Sequence, residues 1–121
     1  MDIDQIRFKQ AIACFNSGQF YECHDILEHH CWQAKSSYPS HQFIQGLIQL
    51  AVAFHHHFQA NKTGYQRLLN KAHHNILASQ NSPAAQWVDT SVLLDHLQAL
   101  NEDSAQIKNS PLLTSGLSIL L

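Results

Sequence analysis

The stretch that most constrains the fold runs from Phe43 to Gln59, with the sequence FIQGLIQLAVAFHHHFQ. At about 100° per residue, its large apolar side chains fall on one side of a helix of roughly four to five turns. These side chains are Phe43, Leu47, Leu50, Phe54 and Phe58. A helix this apolar is typical of the middle of a helical bundle. We therefore predict a central helix near residues 42–60.

The other side of this helix carries uncharged polar groups instead of a charged, solvated face. Its residues are Gln42, Gln45, Gln49, His56 and Gln59. A buried amide or imidazole without a partner costs about 1–3 kcal/mol, so polar groups of another element or of a ligand must meet this stripe. We predict a buried polar cluster that includes Gln45 and Gln49.

The remaining chain predicts four further helices, which gives an all-α bundle of about five helices in a single domain over residues 1–121. The predicted segments are roughly 4–16, 19–35, 64–79 and 91–100. Gly18 can adopt the left-handed conformation that ends the first helix, and the short link makes the first two helices antiparallel neighbours. The core of the bundle is predicted to lie within residues 5–100, and the tail, residues 102–121, shows no helical periodicity. Its apolar end is expected to pack on the bundle or on a second subunit.

Composition argues against several kinds of partner. Charged residues make up 13% of the chain and the net charge is −2, with Lys and Arg scattered singly, so no basic patch for nucleic acid is expected. No apolar run reaches the ~20 residues of a membrane span, and the start MDIDQIRF does not resemble a signal peptide. Three cysteines, an odd number, suit reduced thiols. We expect a cytoplasmic protein that binds neither nucleic acid nor membrane.

The unusual feature of the composition is ten histidines. His24 and Glu28 are four residues apart on a predicted helix and therefore share a face. With His56 of the central helix, or His55 as the alternative, they could supply three ligands to a divalent metal such as zinc, manganese or iron. Gln45 and Gln49 would then orient the ligands or a bound water. A water activated by such a metal could support hydrolysis.

A structural role explains the same residues at least as well. Glu28 can hold His24 through a hydrogen bond, and glutamine amides can complete a network that fixes the helix register. The three histidines at 55–57 spread around about 200° of helix, so all three cannot bind one ion without unwinding. Cys31 near His24 permits a thiol–imidazole pair, although a small core residue explains this cysteine as well.

Two segments of the chain are similar to the small helical family called domain of unknown function 309. FNSGQFYECHDILEHHCW at 15–32 resembles the family's F-N-x-G-x-F/Y-x-x-H-x-x-L-E start. FIQGLIQLAVAFHHHFQANKTGYQRLL at 43–69 resembles its Q-G-L-I-Q-x-A-V-x-x-x-H, which is followed by G-N-x-x-G-A-x-x-L-L. The resemblance implies an all-helical, cytosolic prokaryotic protein that self-associates, and it implies no activity.

Two positions depart from the family pattern. The family's tryptophan falls three residues after the glutamate, whereas here Cys31 holds that place and Trp32 comes one residue later. The family's Gly-Asn pair is Ala60-Asn61 in this chain. The first departure puts in doubt the packing that the tryptophan supplies.

The common catalytic motifs are absent from the sequence, including the Gly-rich phosphate loop, Cys-x-x-Cys, Gly-x-Ser-x-Gly and His-Glu-x-x-His. The sequence thus makes no enzyme assignment and identifies no definite cofactor or small-molecule ligand. We predict a self-associating interaction or scaffold module, most simply a homodimer, with a buried His/Glu/Gln cluster. The alternative is a divalent-metal-binding protein that uses His24, Glu28 and His55 or His56, with metal-dependent hydrolysis as the reaction to test.

Overall fold

The computed structural model describes residues 3–32, 39–102, 107 and 110–120. Over these residues it is a helical bundle, which confirms the predicted all-α class. The helices are α1 (Gln5–Asn16), α2 (Phe20–Ile26), a π-helix (Leu27–Trp32), α3 (Ser40–Phe58), α4 (Lys62–Ala78), a 3₁₀-helix (Ala84–Trp87), α5 (Thr90–Glu102) and α6 (Pro111–Thr114). Among the described residues, five helices of seven residues or more correspond to the five predicted.

Helix α3 lies in the middle of the bundle and packs against α2, the π-helix, α4 and the 3₁₀-helix. Its predicted apolar side is buried at Phe43, Leu47, Leu50 and Phe54. The exception is Phe58, which is 60% exposed. It lies in the last turn of α3, where its ring stacks on Phe20, the first residue of α2.

The first two helices are joined by a tight turn and pack against each other. Asp4 caps the start of α1 by accepting a hydrogen bond from the Arg7 backbone N–H. Gly18 has φ +78°, the left-handed conformation that was predicted to end this helix. The hairpin buries apolar side chains from both helices in the core, namely Phe8, Ala11, Ile12, Phe15, Phe20 and Cys23.

The second helix differs from the prediction of a continuous α-helix over 19–35. It continues from Leu27 to Trp32 as a π-helix, and residues 33–38 lie outside the described part of the chain. A π-helical turn holds more residues than an α-helical one, so it accommodates an extra residue within a helix. Trp32, which comes one residue later than in the family pattern, ends this segment, and its ring stacks on His41 of α3 at 4.6 Å. Cys31 is fully buried.

Helices α3 and α4 lie close together at Gly46. A Cβ atom at this position would lie 2.6 Å from Cγ1 of Ile76 and 3.2 Å from the Ile76 backbone nitrogen. The absence of a side chain at Gly46 therefore permits the close packing of α4 on the central helix.

The tail was expected to pack on the bundle or on a second subunit, and the described part of it packs on the bundle. It includes one helical turn, α6, that was not predicted. Leu112 and Leu117 are buried. The Asn16 side chain clamps the tail: Nδ2 donates to the Leu117 carbonyl at 3.1 Å, and Oδ1 accepts from the Leu117 N–H at 2.7 Å. Val88 and Ile119 form an isolated antiparallel bridge beyond the clamp.

None of the helices within 3–32, 39–102 and 110–120 combines the length and the apolar character needed to cross a membrane.

Candidate functional site

The polar stripe of α3 finds its partner on α4. Asn75 donates from Nδ2 to Oε1 of Gln49 at 2.7 Å, and its Oδ1 accepts a hydrogen bond from Nε2 of Gln42 at 3.1 Å. We call Gln42, Gln49 and Asn75 the amide cluster. It holds α3 and α4 in one register, because a shift of either helix would break both hydrogen bonds.

Three residues of the predicted polar stripe lie outside the amide cluster. Gln45 and Gln59 are exposed to solvent. His56 is turned towards the α3–α4 loop, where Asn61 Nδ2 lies 3.4 Å from its Nδ1. The rotation of α3 explains the positions of Gln45 and His56, since the surface of α3 that faces α4 carries Gln42, Gly46 and Gln49.

His24 and Glu28 do form the predicted pair on α2 and the π-helix. Nε2 of His24 lies 3.1 Å from Oε2 of Glu28, and the two side chains are 22% and 40% exposed. Nδ1 of His24 is buried and has no hydrogen-bond partner among the described residues. A carboxylate that holds one imidazole nitrogen fixes the orientation of the ring.

The predicted third ligand does not join this pair. His55 lies on the α2 side of α3, but the Tyr21 ring stands beside both histidines, with its centroid 5.6 Å from that of His24 and 5.6 Å from that of His55. His56 faces Asn61 instead. Within the described ranges no three or more His, Cys, Asp and Glu side chains are grouped so that they could hold a metal ion.

Cys31 has the properties of a core residue. Burial raises the pKa of the Cys31 thiol from 9.0 to about 12, which disfavours the nucleophilic thiolate. Burial is also the main reason that the pKa of Cys23 is raised, and the neighbouring Cys14 and Cys31 add to this shift. These thiols are therefore poor candidates for nucleophilic catalysis.

A surface that the sequence analysis missed lies where α2 begins and α3 ends. Phe58 stacks on Phe20 with centroids 5.9 Å apart and planes 7° apart, and Tyr21 is 58% exposed. We call Phe20, Tyr21 and Phe58 the aromatic patch. It adjoins an open pocket of about 460 Å³ that is lined by Phe15, Asn16, Ser17, Gly18, Phe20, Phe58 and Leu113.

One signal in the sequence could have indicated this patch. Phe58 comes just before the break at Ala60, so it had to lie at the very end of α3, where neighbouring helices cover little of the surface. Tyr21 follows the buried Phe20 directly and therefore points about 100° away from it around α2.

Comparisons with known proteins agree with the resemblance in both segments. The family model described as Domain of unknown function (DUF309) matches residues 8–68, which is half of the chain. The chain is 31% identical over 83 residues to a protein of Bacillus subtilis (strain 168) named "Uncharacterized protein YpuF". This match covers 69% of the chain and 47% of the relative, so the chain spans about half the length of that protein. No solved structure matches. The family match, over the helices that form the central core, shows that the chain belongs to the family Domain of unknown function (DUF309).

Proposed function

We propose that this protein is a cytoplasmic interaction module that self-associates as a homodimer through the aromatic patch. The observation that carries the proposal is Phe58, a large apolar side chain that is 60% exposed and stacks on Phe20. Tyr21, the next residue of α2, is 58% exposed. Exposed clusters of large aromatic side chains are typical of protein–protein interfaces, in which Tyr and Phe are enriched.

A second copy of the chain is the partner that best fits the charge of this surface. A two-fold symmetric interface places each residue near its own counterpart, so a charged surface would repel its copy. The pocket beside the patch is lined by apolar and uncharged polar side chains alone. The net charge of −2 also leaves little repulsion between two whole chains.

The amide cluster supports this function by fixing the helix that carries Phe58. It holds α4 against α3, the helix that carries Phe58, through two hydrogen bonds of Asn75. A surface held rigid before binding loses less conformational entropy when the partner arrives. Free thiols at Cys14, Cys23 and Cys31 agree with a reducing compartment such as the cytoplasm.

The test is the self-association of Phe58→Ser, measured by sedimentation equilibrium from low to high micromolar concentration. Because Phe58 is already exposed, we expect this variant to fold, and to dimerise roughly tenfold or more weakly than the natural chain. Leu77→Ser is the matched control, since Leu77 is 48% exposed on α4. A monomeric natural chain at every concentration, or a dimer that Phe58→Ser leaves intact, would contradict the proposal.

Divalent-metal binding is a second candidate, and it rests on the His24–Glu28 pair alone. Glu28 holds one nitrogen of the His24 ring at 3.1 Å, but the described residues contain no group of three possible metal ligands. The test is metal content by mass spectrometry on tag-free protein dialysed against a weak chelator, beside Glu28→Gln. Near-stoichiometric zinc, manganese or iron that is lost in the variant would support a metal site and justify a screen for hydrolase activity. Equal, low metal content in both proteins would reject it.

A further inference from the structure

We propose that the interface of the homodimer continues from the aromatic patch along the open face of α3, which packs in parallel against α3 of the second copy. This inference rests on the proposed homodimer and identifies a second surface of it. It assigns a role to Gln45 and Gln59, the two glutamines of the predicted polar stripe that the amide cluster does not use.

The open face of α3 is a line of side chains that recur at intervals of three and four residues, the spacing that keeps them on one side of a helix. Gln45 and Gln59 are exposed, and Ile48, Val52 and His55 are half-buried between them. We call these five residues the α3 seam. Although α3 is the central helix of the bundle, this side of it is left partly open to solvent.

Two neighbouring helices border the α3 seam. On one side α4 approaches α3 where Asn75 donates to Gln49. On the other side α2 approaches it where the Tyr21 ring lies 5.6 Å from that of His55. Tyr21 also belongs to the aromatic patch and is 58% exposed. The seam and the patch therefore form one continuous surface that meets at Tyr21.

The composition of α3 suits a surface that a copy of itself covers. Between Ser40 and Phe58 the helix contains no Asp, Glu, Lys or Arg. The solvent side of a helix normally carries charged residues, whereas the core of a protein interface is depleted of them. A glutamine amide both donates and accepts hydrogen bonds, so Gln45 can pair with Gln45 of a second copy.

The spacing of the α3 seam is that of a heptad repeat, in which the a and d positions face a partner helix. If Val52 is an a position, Gln45 and Gln59 are a positions too, and Ile48 and His55 are d positions. In parallel pairs, a β-branched residue at a favours two strands, and a polar residue at a sets the register. The seam contains both kinds of residue.

The aromatic patch sets the direction of the pairing. Phe58 lies in the last turn of α3, and in a two-fold dimer through the patch it comes near its own counterpart. Two α3 helices that meet at the same end, and whose seams also touch, must run in the same direction. An antiparallel pair would instead place the two patches at opposite ends of the interface.

The experiment places charges at Gln45, where the two chains are expected to meet. Sedimentation equilibrium compares full-length Gln45→Glu, Gln45→Lys and their equimolar mixture. Because each residue meets its own counterpart, we expect each variant alone to dimerise roughly tenfold or more weakly than the natural chain, and the mixture to regain association. Gln45 is exposed, so both variants should fold, which circular dichroism checks. Gln10→Glu, at an exposed position of α1, is the matched control and should dimerise like the natural chain.

Three results would overturn the inference. If Phe58→Ser weakens the dimer but Gln45→Glu and Gln45→Lys leave it unchanged, the α3 seam is rejected and the homodimer stands. If Gln59→Lys restores the association of Gln45→Glu and Gln45→Lys does not, the helices run in opposite directions. A natural chain that is monomeric at every concentration rejects the homodimer itself, and the seam with it.

Discussion

The Asn75 side chain of α4 donates a 2.7 Å hydrogen bond to Gln49 of α3. It also accepts one from Gln42, so a single amide bonds to two half-buried glutamines, although Oε1 of Gln42 has no partner among the described residues. We expect Asn75→Ala to lower the free energy of unfolding by about 1–3 kcal/mol, because both glutamines lose their partner. Urea denaturation followed by circular dichroism measures this change.

Asn70→Ala provides the matched control for this measurement. Asn70 is exposed on the same helix, and surface substitutions usually change the free energy of unfolding by about 0.5 kcal/mol or less. Equal effects of the two substitutions would mean that the amide cluster contributes nothing specific to the packing of α3 and α4.

The close approach at Gly46 predicts a destabilising effect of a single methyl group. Gly46→Ala raises helix propensity by about 1 kcal/mol, but the new Cβ would lie 2.6 Å from Cγ1 of Ile76. Overpacking typically costs about 1–3 kcal/mol, so we expect a net loss of stability in urea denaturation. In a double-mutant cycle, Ile76→Ala should recover part of this loss. Additive effects of the two substitutions would show that the contact does not limit the packing.

Ala60 occupies a backbone conformation that favours glycine. Its φ is +58°, and it holds the place of the glycine in the family's Gly-Asn pair. A left-handed conformation costs a residue with a Cβ roughly 1–2 kcal/mol, so we expect Ala60→Gly to raise the melting temperature. Ala99→Gly, at an exposed position inside α5, should lower it. A decrease in both variants would contradict the expected relief of strain.

Tyr65 predicts a loss of stability at alkaline pH. Burial raises its pKa from 10.0 to about 12, so the unfolded chain releases this proton at a lower pH than the folded one. The unfolded state then binds fewer protons, and the free energy of unfolding falls as pH rises. The contribution of Tyr65 is fully present below about pH 10, and we expect it to fall by roughly 1 kcal/mol near pH 11.

Urea denaturation of Tyr65→Phe across this range tests the expectation. The free energy of unfolding of this variant should fall less at alkaline pH than that of the natural chain. Tyr21→Phe, at an exposed tyrosine, should behave like the natural chain. At neutral pH Tyr65→Phe should be at least as stable as the natural chain, because the Tyr65 hydroxyl is buried without a partner among the described residues. An equal decrease in the free energy of unfolding in Tyr65→Phe would indicate that other buried groups, such as Cys31, cause most of the loss of stability at alkaline pH.

The helices were predictable because their apolar periodicity is strong. The central helix was predicted near 42–60 and spans Ser40–Phe58. The π-helix was not predictable, since Leu27 and Cys31 are buried in this short segment just as they would be in an α-helix. The one available signal was Trp32, which comes one residue later than the family's tryptophan. An extra residue within a helix that stays packed on both sides is accommodated by a wider turn.

The candidate site was less predictable because it depends on how each helix is rotated about its axis. The polar side of α3 required partners, and Gln49 has one, but nothing in the sequence identified Asn75. Neighbouring residues on a helix point about 100° apart, so a modest rotation exchanges the surroundings of His55 and His56. The His24–Glu28 pair was predictable, since four-residue spacing within one helix does not depend on tertiary packing.

The clamp between Asn16 and Leu117 joins residues that are 101 positions apart. Closing so long a loop costs more chain entropy than forming the α1–α2 or α3–α4 hairpins, whose contacts are local. The tail should therefore dock late in folding, after the hairpins have created the surface that receives it. During synthesis, Phe58 would therefore be exposed before the tail, which includes Leu113, could pack beside it.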